Sequence, residues 1–341
     1  MRALVLREFG KIEVEHREKP VPNSGEMLIR VIATGICGSD FHGYTGENGR
    51  RQPGQVMGHE TVGRIEAIGD GPQSDLAEGQ LVTFNPVVVP ESEAAEYLGR
   101  EQHCANKFVI GVAPTVSAGF ADYVVVPGRN VIGLPASMPA THGALVEPIA
   151  VAVHAVRRVY RDSMKRVLVV GGGPIGQSLV LALHMHGVRD IYVSEPSIER
   201  RDLCERLGAT TIDPTVSSVA ETLAASGRLA DTAFDAVGIS RSLDDALNAT
   251  AFGANVCLVG MGSPHLDLDA FRVSTEERSV VGSFTYSAQD FVDAAAFVGA
   301  APPHIGELVS LEIQPEQADA AFRKLADGDG TPGKILVRFS E

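Results

Sequence analysis

The sequence predicts an α/β protein of two domains, a β-rich domain followed by a domain in which strands and helices alternate. Three observations support this prediction. The length of 341 residues is enough for two separate cores. The first part of the chain carries short alternating runs broken by glycine and proline, which is typical of a barrel-like β domain. From about Glu147 onward, apolar helical runs alternate with buried-type strands, which indicates βαβ units and a parallel sheet.

In the first domain, residues 27–33, 61–68 and 123–126 are predicted strands. Residues 1–7 also alternate like a strand and contain no apolar core of signal-peptide length, so we expect no export signal. The run at residues 333–339 predicts a last strand that returns to the first domain.

The second domain is predicted to alternate strand and helix around a parallel sheet. The expected elements are helix 149–160, strand 166–170, helix 175–186, strand 190–194, strand 233–237 and strand 255–260. We therefore expect a first domain of residues 1–147, to which residues 287–341 return, and an inserted second domain of residues 148–286.

Charge and composition argue against several classes of partner. The formal net charge is -14 and no basic stripe offsets it, which argues against a nucleic-acid partner. No apolar run approaches the ~18 residues of a membrane span. The four cysteines are spread along the chain and do not resemble a disulfide framework, so we expect a cytoplasmic protein. The expected partner is a small molecule.

A glycine-rich turn follows the first predicted strand of the second domain. Gly171, Gly173 and Gly176 satisfy the pattern G-x-G-x-x-G, and Pro174 and Ile175 open the following helix. Such glycines allow a tight turn and a close approach of backbone to a pyrophosphate, which the helix N-terminus then stabilises. Because the strand, turn and helix come in this order, the pattern predicts a dinucleotide site rather than incidental glycines.

An acidic residue follows at the spacing expected for this motif. Glu195 closes the next predicted strand, close to the expected ~20 residues after the turn. It is predicted to bind the adenosine ribose hydroxyls and to repel a 2′-phosphate, which favours NAD. Arg200 and Arg201 could instead serve the 2′-phosphate of NADP, although their spacing also fits exposed positions on a helix. Arg200 is a candidate cofactor-binding residue.

Three metal-ligand types lie close together in the first domain. Cys37, His59 and Glu60 place a thiol, an imidazole and a carboxylate within about 25 residues, a set that can hold one Zn²⁺ and leave a coordination position open. The simpler interpretation is a small buried cysteine and a histidine bonded to backbone. A dinucleotide signature on the same chain favours the zinc site and, with it, zinc-assisted hydride transfer.

Together, these segments resemble the zinc-dependent medium-chain dehydrogenases, and within them the branch of polyol (sorbitol) and threonine dehydrogenases. The matching segments are residues 35–42, 58–60, 146–154 and 171–176. The resemblance covers essentially the whole chain. It implies a GroES-like β-rich catalytic domain, an inserted Rossmann domain with a doubly wound parallel sheet, NAD, and one catalytic Zn²⁺ per chain. We also expect a homodimer or a homotetramer.

The resemblance implies a ligand set for the zinc. Cys37 and His59 match its first two ligands, and Glu60 and Glu147 match the two carboxylates that complete the site in this branch. Which glutamate binds the metal directly stays open. Liver-type alcohol dehydrogenases carry a cysteine near the position of Glu147. Because this chain has no cysteine there, the resemblance favours the polyol branch.

The resemblance also implies catalytic roles for Ser39, His42 and Glu60. Ser39 would take the proton of the alcohol and pass it through the cofactor ribose to His42 and water, while Glu60 would contact the zinc or its bound water. The alternative is a turn serine and an exposed histidine. The expected reaction is oxidation of a secondary alcohol in a polyol, sugar or sugar acid. The alternatives are an amino-alcohol dehydrogenase of the threonine type and a non-catalytic nucleotide-binding regulator.

One lobe departs from the family pattern. Most relatives carry four cysteines near residues 90–104 that hold a structural zinc, whereas this chain presents Pro90, Glu93, Glu96 and Cys104. We therefore expect a lobe without metal and a leftover, exposed thiol at Cys104.

Without a zinc ion, this lobe needs another source of order. Tyr97 and Leu98 are expected to supply it by burying apolar surface.

Overall fold

The computed structural model describes residues 1–47, 49–71, 75–328 and 330–340. It divides into two compact units, one formed by Met1–Ala150 with Ser287–Glu341 and the other by Val151–Tyr286. The first division therefore falls inside a helix. No helix within the described ranges is both long and apolar enough to cross a membrane.

Strands and helices are numbered in chain order. The strands are β1 (Arg2–Glu8), β2 (Lys11–His16), β3 (Glu26–Gly35), β4 (Glu60–Ile68), β5 (Leu81–Phe84), β6 (Val87–Val88), β7 (Phe108–Val109), β8 (Tyr123–Pro127), β9 (Val131–Gly133), β10 (Arg166–Val170), β11 (Asp190–Ser194), β12 (Thr210–Ile212), β13 (Ala230–Asp235), β14 (Thr250–Leu258), β15 (Ser279–Gly282), β16 (Val309–Ile313) and β17 (Lys334–Arg338). The helices are α1 (Gly38–Tyr44), α2 (Val146–Val159), α3 (Pro174–Met185), α4 (Ile198–Arg206), α5 (Val219–Ala225), α6 (Ser240–Asn248), α7 (Ala270–Thr275), α8 (Ala288–Gly299) and α9 (Ala318–Ala326).

The first unit is built around a mixed sheet with the strand order β16-β17-β3-β4-β5-β9, in which β8 also pairs with β3. The last strand of the chain, β17, lies antiparallel to β3, as predicted for a tail that returns to this domain. A core that includes Ile29, Val31, Phe84, Phe120 and Phe322 packs within the unit. Because β17, β3 and β4 are neighbours, residues from distant parts of the chain meet at one end of the sheet.

The second unit has a parallel sheet with the order β12-β11-β10-β13-β14-β15. In chain order these strands run third, second, first, fourth, fifth and sixth, which is the doubly wound order of a Rossmann domain. The strand order reverses between β10 and β13, and ligands of such sheets bind at the carboxyl ends of the strands at this reversal. Leu168, Ala233, Leu243 and Val256 belong to the core of this unit.

Candidate active site

The three ligand types predicted for zinc come together in the first unit. The ligand atoms of Cys37, His59 and Glu60 all lie within 4.8 Å of one another. His59 and Glu60 are buried, and Cys37 is half-buried. A thiol, an imidazole nitrogen and a carboxylate oxygen at this spacing form a donor set that suits Zn²⁺.

The strand register explains how these residues meet. Gly35 at the end of β3 is the antiparallel partner of Glu60 at the start of β4. Cys37 therefore lies beside His59 and Glu60. A side chain at position 35 would collide with the Glu60 carboxylate, so the site needs a glycine there. Gly58, directly before the histidine, has a φ of +99° and packs against neighbouring backbone, which also requires glycine.

Asp40 faces the imidazole of His59. Its Oδ1 lies 3.6 Å from His59 Nδ1, a buried nitrogen that has no hydrogen-bond partner among the described residues. Burial opposes a charge on the imidazole, but the charges of Asp40 and Cys37 outweigh it and raise the pKa of His59 well above its usual value. Burial also opposes the charge of Asp40, yet His59 and Arg51 outweigh it and lower the pKa of this carboxyl. Metal binding is therefore expected to compete with a proton on this imidazole.

Lys334 is a residue of this site that the sequence did not indicate. Its buried ammonium group, at the start of β17, forms an ion pair with Oε1 of Glu60 and lies 3.5 Å from the carbonyl oxygen of Ile36. Burial opposes the charge, but Glu60, Cys37 and Glu147 together outweigh it and raise the pKa of Lys334. Oε2 of Glu60 is buried without a hydrogen-bond partner among the described residues. One oxygen of Glu60 is therefore fixed, and the other has its lone pairs available to a ligand.

Glu147 is buried in the first turn of α2. Among the described residues, the tight group consists of Cys37, His59 and Glu60 and does not include it. Its charge contributes to the raised pKa of Lys334. The structure thus brings three of the four predicted ligands together in one cluster.

The predicted proton relay lies on α1. Ser39 is half-buried, and its Oγ lies 3.4 Å from Nη2 of Arg51. The side chain of His42 is 45% exposed, and its Nδ1 lies 3.1 Å from Oε2 of Glu47, a residue that the sequence did not indicate. Residues three apart share one face of a helix. A half-buried hydroxyl and an exposed imidazole on this face suit transfer of a proton toward solvent.

The glycine turn of the second unit has the geometry expected of its motif. Gly171 follows β10 with a φ of +97°, and a side chain at Gly176 would collide with the carbonyl oxygen of Gly171. Gly173 directly precedes α3, which begins with Pro174 and Ile175. Backbone can therefore approach a phosphate closely, and the N-terminus of α3 supplies the favourable end of the helix dipole.

Glu195 lies directly after β11 and is buried. Its Oε2 accepts the backbone N–H of Gly172 at 2.7 Å, and its Oε1 accepts the N–H of Ser197 at 2.9 Å. The carboxylate therefore fixes the glycine turn in addition to its predicted role toward the ribose. Each oxygen retains a second lone pair for a ribose hydroxyl.

The two arginines that follow Glu195, Arg200 and Arg201, make different contacts. Arg201 donates to the carbonyl oxygen of Glu195 at 2.7 Å and pairs with Asp213 at 3.0 Å, so it holds the loop. Arg200 lies beside the turn, with its Nη1 3.9 Å from the point where a Cβ on Gly173 would stand. Its Nε is buried and has no hydrogen-bond partner among the described residues. Of the two arginines, only Arg200 thus has, beside the glycine turn, a buried side-chain nitrogen without a partner in the part of the chain that the structure describes.

The lobe at residues 90–104 differs from two expectations. Cys104 is buried rather than exposed, and its thiol donates to Oε2 of Glu93 at 3.4 Å. Leu98 is 80% exposed, so the expected burial of this side chain is wrong. Tyr97 is half-buried. The physical reason is that polar contacts take the place of apolar packing in this lobe.

Two glutamates supply these polar contacts. Asn106 Nδ2 donates to Oε1 of Glu93 at 2.8 Å. Glu101 accepts the backbone N–H of Gly99 at 2.9 Å and that of Ala288 at 3.0 Å. Because Ala288 is the first residue of α8, Glu101 also places a negative charge at a helix N-terminus, which is favourable.

Comparison with known proteins identifies the family. Residues 23–136 match the family model described as alcohol dehydrogenase GroES-like domain, and residues 174–300 match the model described as zinc-binding dehydrogenase. The chain belongs to the zinc-type medium-chain dehydrogenases. The predicted fold, a GroES-like domain with a Rossmann domain, is confirmed, as is the prediction of an alcohol or polyol dehydrogenase.

This dehydrogenase is similar to L-galactonate-5-dehydrogenase of Escherichia coli K12, with 30% identity over 293 residues that cover 85% of each chain. The crystal structure of a zinc-binding dehydrogenase from Sinorhizobium meliloti 1021 bound to NADP matches it with a TM-score of 0.90, 27% identity and 99% coverage of both chains. An alcohol dehydrogenase from Escherichia coli CFT073 complexed with NADH matches it with a TM-score of 0.89, 25% identity and 99% coverage of both chains. Relatives of this fold therefore hold either nicotinamide cofactor.

Proposed function

We propose that this dehydrogenase oxidises a secondary alcohol of a polyol, sugar or sugar acid to the ketone, with NAD as the hydride acceptor. The observation that carries the proposal is the close group of half-buried Cys37 with buried His59 and Glu60, in which one Glu60 oxygen is available to a ligand. A relative is named for a sugar acid, L-galactonate, which supports this substrate class.

Cys37, His59 and one of the two glutamates, Glu60 or Glu147, would hold the zinc. When bound, Zn²⁺ supplies a Lewis acid that favours loss of the alcohol proton, and NAD supplies the acceptor for the hydride. Lys334 neutralises one oxygen of Glu60 and holds the carboxylate in place. The second oxygen of Glu60 is buried and has no hydrogen-bond partner among the described residues, so its lone pairs remain for a ligand.

Ser39 is the proposed acceptor of the alcohol proton. It lies two residues after Cys37, and a hydroxyl can accept one proton while it donates another. His42 is the proposed exit to solvent, because its imidazole is exposed and can change charge near neutral pH. Glu47 orients that imidazole through its contact with Nδ1.

NAD is proposed over NADP because of Glu195. Its buried carboxylate places a negative charge beside the glycine turn, which opposes a 2′-phosphate. Arg200 is the residue that would favour the phosphate instead. The kcat/KM values for NAD and NADP decide between them. Glu195→Gln is expected to narrow the preference for NAD over NADP, because the variant loses the negative charge; it keeps an acceptor for only one of the N–H groups of Gly172 and Ser197.

A substrate screen tests the proposed reaction. Polyols, sugar acids and amino alcohols are offered to the zinc-loaded protein with NAD, and NADH absorbance is followed. Turnover of a polyol or sugar acid that is lost in Cys37→Ser supports the proposal. Turnover of amino alcohols alone would favour the threonine-type alternative. Binding of NAD without turnover of any alcohol would favour a nucleotide-binding regulator.

We further propose a homodimer or homotetramer in the cytoplasm. β15 lies at the edge of the parallel sheet, and Phe252 and Phe271 of the same unit are 77% and 80% exposed. An open strand edge and exposed aromatic side chains favour self-association.

The four cysteines, all in the described ranges, are free thiols, which suits a reducing compartment. Light scattering of the purified protein measures the oligomeric state. A monomer would contradict the proposed homodimer or homotetramer.

A further inference from the structure

Asp40 contacts three groups around the candidate metal site. Its Oδ2 accepts the backbone N–H of Cys37 at 3.2 Å, and its Oδ1 lies 3.6 Å from His59 Nδ1. The same Oδ1 accepts a hydrogen bond from Nη2 of Arg51 at 3.0 Å. One carboxylate therefore touches both segments that supply the predicted thiolate and imidazole.

Arg51 is buried although it makes few hydrogen bonds. Its side chain is 0% exposed, and its Nε and Nη1 have no hydrogen-bond partner among the described residues. Nη2 serves Asp40 and lies 3.4 Å from Oγ of Ser39. Burying a guanidinium with unpaired N–H groups is costly. The fold nevertheless makes room for it, because a side chain at Gly43 in α1 would collide with Arg51 Cγ.

We infer that Arg51 is a positioning residue of the metal site and that it acts through Asp40. The inference rests on the proposed zinc site. Arg51 Nη2 and His59 Nδ1 approach the same oxygen of Asp40, and the arginine is the nearer of the two, at 3.0 Å against 3.6 Å. The arginine therefore determines where that oxygen stands. Asp40 in turn accepts the backbone N–H of Cys37 and places its charge 3.6 Å from the imidazole nitrogen of His59.

The loss of Arg51 would release the Asp40 carboxylate from its strongest hydrogen bond. The carboxylate could then rotate toward His59 or away from the N–H of Cys37, and the ligand atoms would lose their fixed geometry. Groups that orient metal ligands typically change metal affinity by roughly 10–100-fold when they are mutated. A residue with a packing role alone would lower stability without this effect on the metal.

Zinc affinity tests the inference by competition with a chelating dye on metal-stripped, full-length protein. Arg51→Met is expected to raise the zinc Kd by roughly 10–100-fold. Arg51→Lys keeps the charge without the planar fork and should lose less affinity. With Co²⁺ as the probe, the absorption bands of thiolate-bound cobalt should shift in Arg51→Met. Thermal melting of the metal-free variants shows whether each is folded.

A double-mutant cycle separates action through Asp40 from a general effect on packing. Asp40→Asn should itself weaken zinc binding, and in that background Arg51→Met should add less than roughly threefold. The control is Arg278→Met in the second unit, which also removes a buried arginine. It should leave the zinc Kd unchanged, whatever it does to the melting temperature.

Equal zinc affinity of the wild type, Arg51→Lys and Arg51→Met would overturn the inference, as would additive losses in the double variant. If Arg51→Met does not fold, Arg51→Lys alone and in the Asp40→Asn background decides the question. Failure of the proposed zinc site gives a different result, because Cys37→Ser would then bind zinc as tightly as the wild type.

Discussion

His42 is the exposed end of the proposed proton relay, and Glu47 contacts its Nδ1 at 3.1 Å. His42→Ala should lower kcat near neutral pH by up to roughly 10²-fold, because general acid–base steps contribute about 10²–10⁴-fold and water can partly replace a group at the surface. The zinc content should not change. The pH–rate profile and elemental analysis measure both effects, with Glu47→Gln as a milder comparison. An unchanged pH–rate profile would remove His42 from the mechanism.

Asp235 is a buried carboxylate that holds the turn after β13. Its Oδ1 accepts the N–H groups of Val237 and Gly238 at 2.9 Å each, and its Oδ2 accepts the hydroxyl of Ser242 at 2.9 Å. Burial outweighs these hydrogen bonds and raises the pKa of Asp235. The folded state therefore holds this proton more firmly than the unfolded state does. Its contribution to stability falls as the pH rises above the unfolded pKa of about 3.9.

Asp235→Asn should therefore be neutral or stabilising near pH 7, because it removes the buried charge and keeps an acceptor for the two N–H groups. Its advantage should shrink as the pH falls toward about 4, where the wild-type carboxyl becomes protonated. Asp235→Ala leaves both donors unsatisfied and should cost roughly 2–4 kcal/mol. Urea unfolding at the two pH values measures these differences. A loss in Asp235→Asn as large as that in Asp235→Ala would show that the charge itself is needed.

Among single residues, the sequence indicated the candidate metal-binding side chains but not the charged residues that contact them. Cys37 and His59 lie in short motifs with recognisable spacing. Lys334 is separated from Glu60 by 274 positions, and the two meet because β3 pairs with both β17 and β4. Arg51 lies in a polar run that resembles an ordinary loop. No local pattern shows that a charged side chain will be buried.

Among the structural elements, the lobe at residues 90–104 allows a direct test of whether the hydrogen bonds of Glu101 stabilise it. Glu101→Ala removes the acceptor for the N–H groups of Gly99 and Ala288 and should cost about 1–2 kcal/mol. The melting temperature should fall by about 2–6 °C, measured by calorimetry. Leu98→Ala is the matched control in the same lobe and should have no effect, because Leu98 is 80% exposed. Equal melting temperatures for the two variants would show that Glu101 does not anchor the lobe.

Two buried strands of the second unit could be predicted closely, because their apolar runs are continuous, whereas β13 and β14 begin at Ala230 and Thr250, before the predicted starts at 233 and 255. β10 and β11 occupy the predicted residues 166–170 and 190–194. α2 begins at Val146, before the predicted start at 149, because Glu147 and Pro148 suit the first turn of a helix. The lobe could not be predicted in the same way. Its order comes from side chains that bond to distant backbone groups, and such contacts leave no periodic pattern.

In the whole molecule, each unit carries its candidate ligands at the ends of neighbouring strands. The first unit uses the end of β3 and the start of β4, and the second uses the turns after β10 and β11. These positions combine rigid support from a sheet with backbone that is free to bond a ligand. The first unit also contains the lobe at residues 90–104, for which the sequence predicts no metal. The number of metal ions per chain therefore depends on both the cluster around Cys37 and the lobe.

One zinc per chain is expected, bound at Cys37 and absent from the lobe. In the lobe, the Glu93 carboxylate is occupied by hydrogen bonds from Cys104 and Asn106, and carboxylates are poor substitutes for the four thiolates of a structural site. Elemental analysis should give a ratio near one for the wild type and near zero for Cys37→Ser. Cys104→Ser should stay near one, because a serine hydroxyl can replace the thiol as donor to Glu93. A ratio near two, or the loss of a metal ion in Cys104→Ser, would show that the lobe binds zinc.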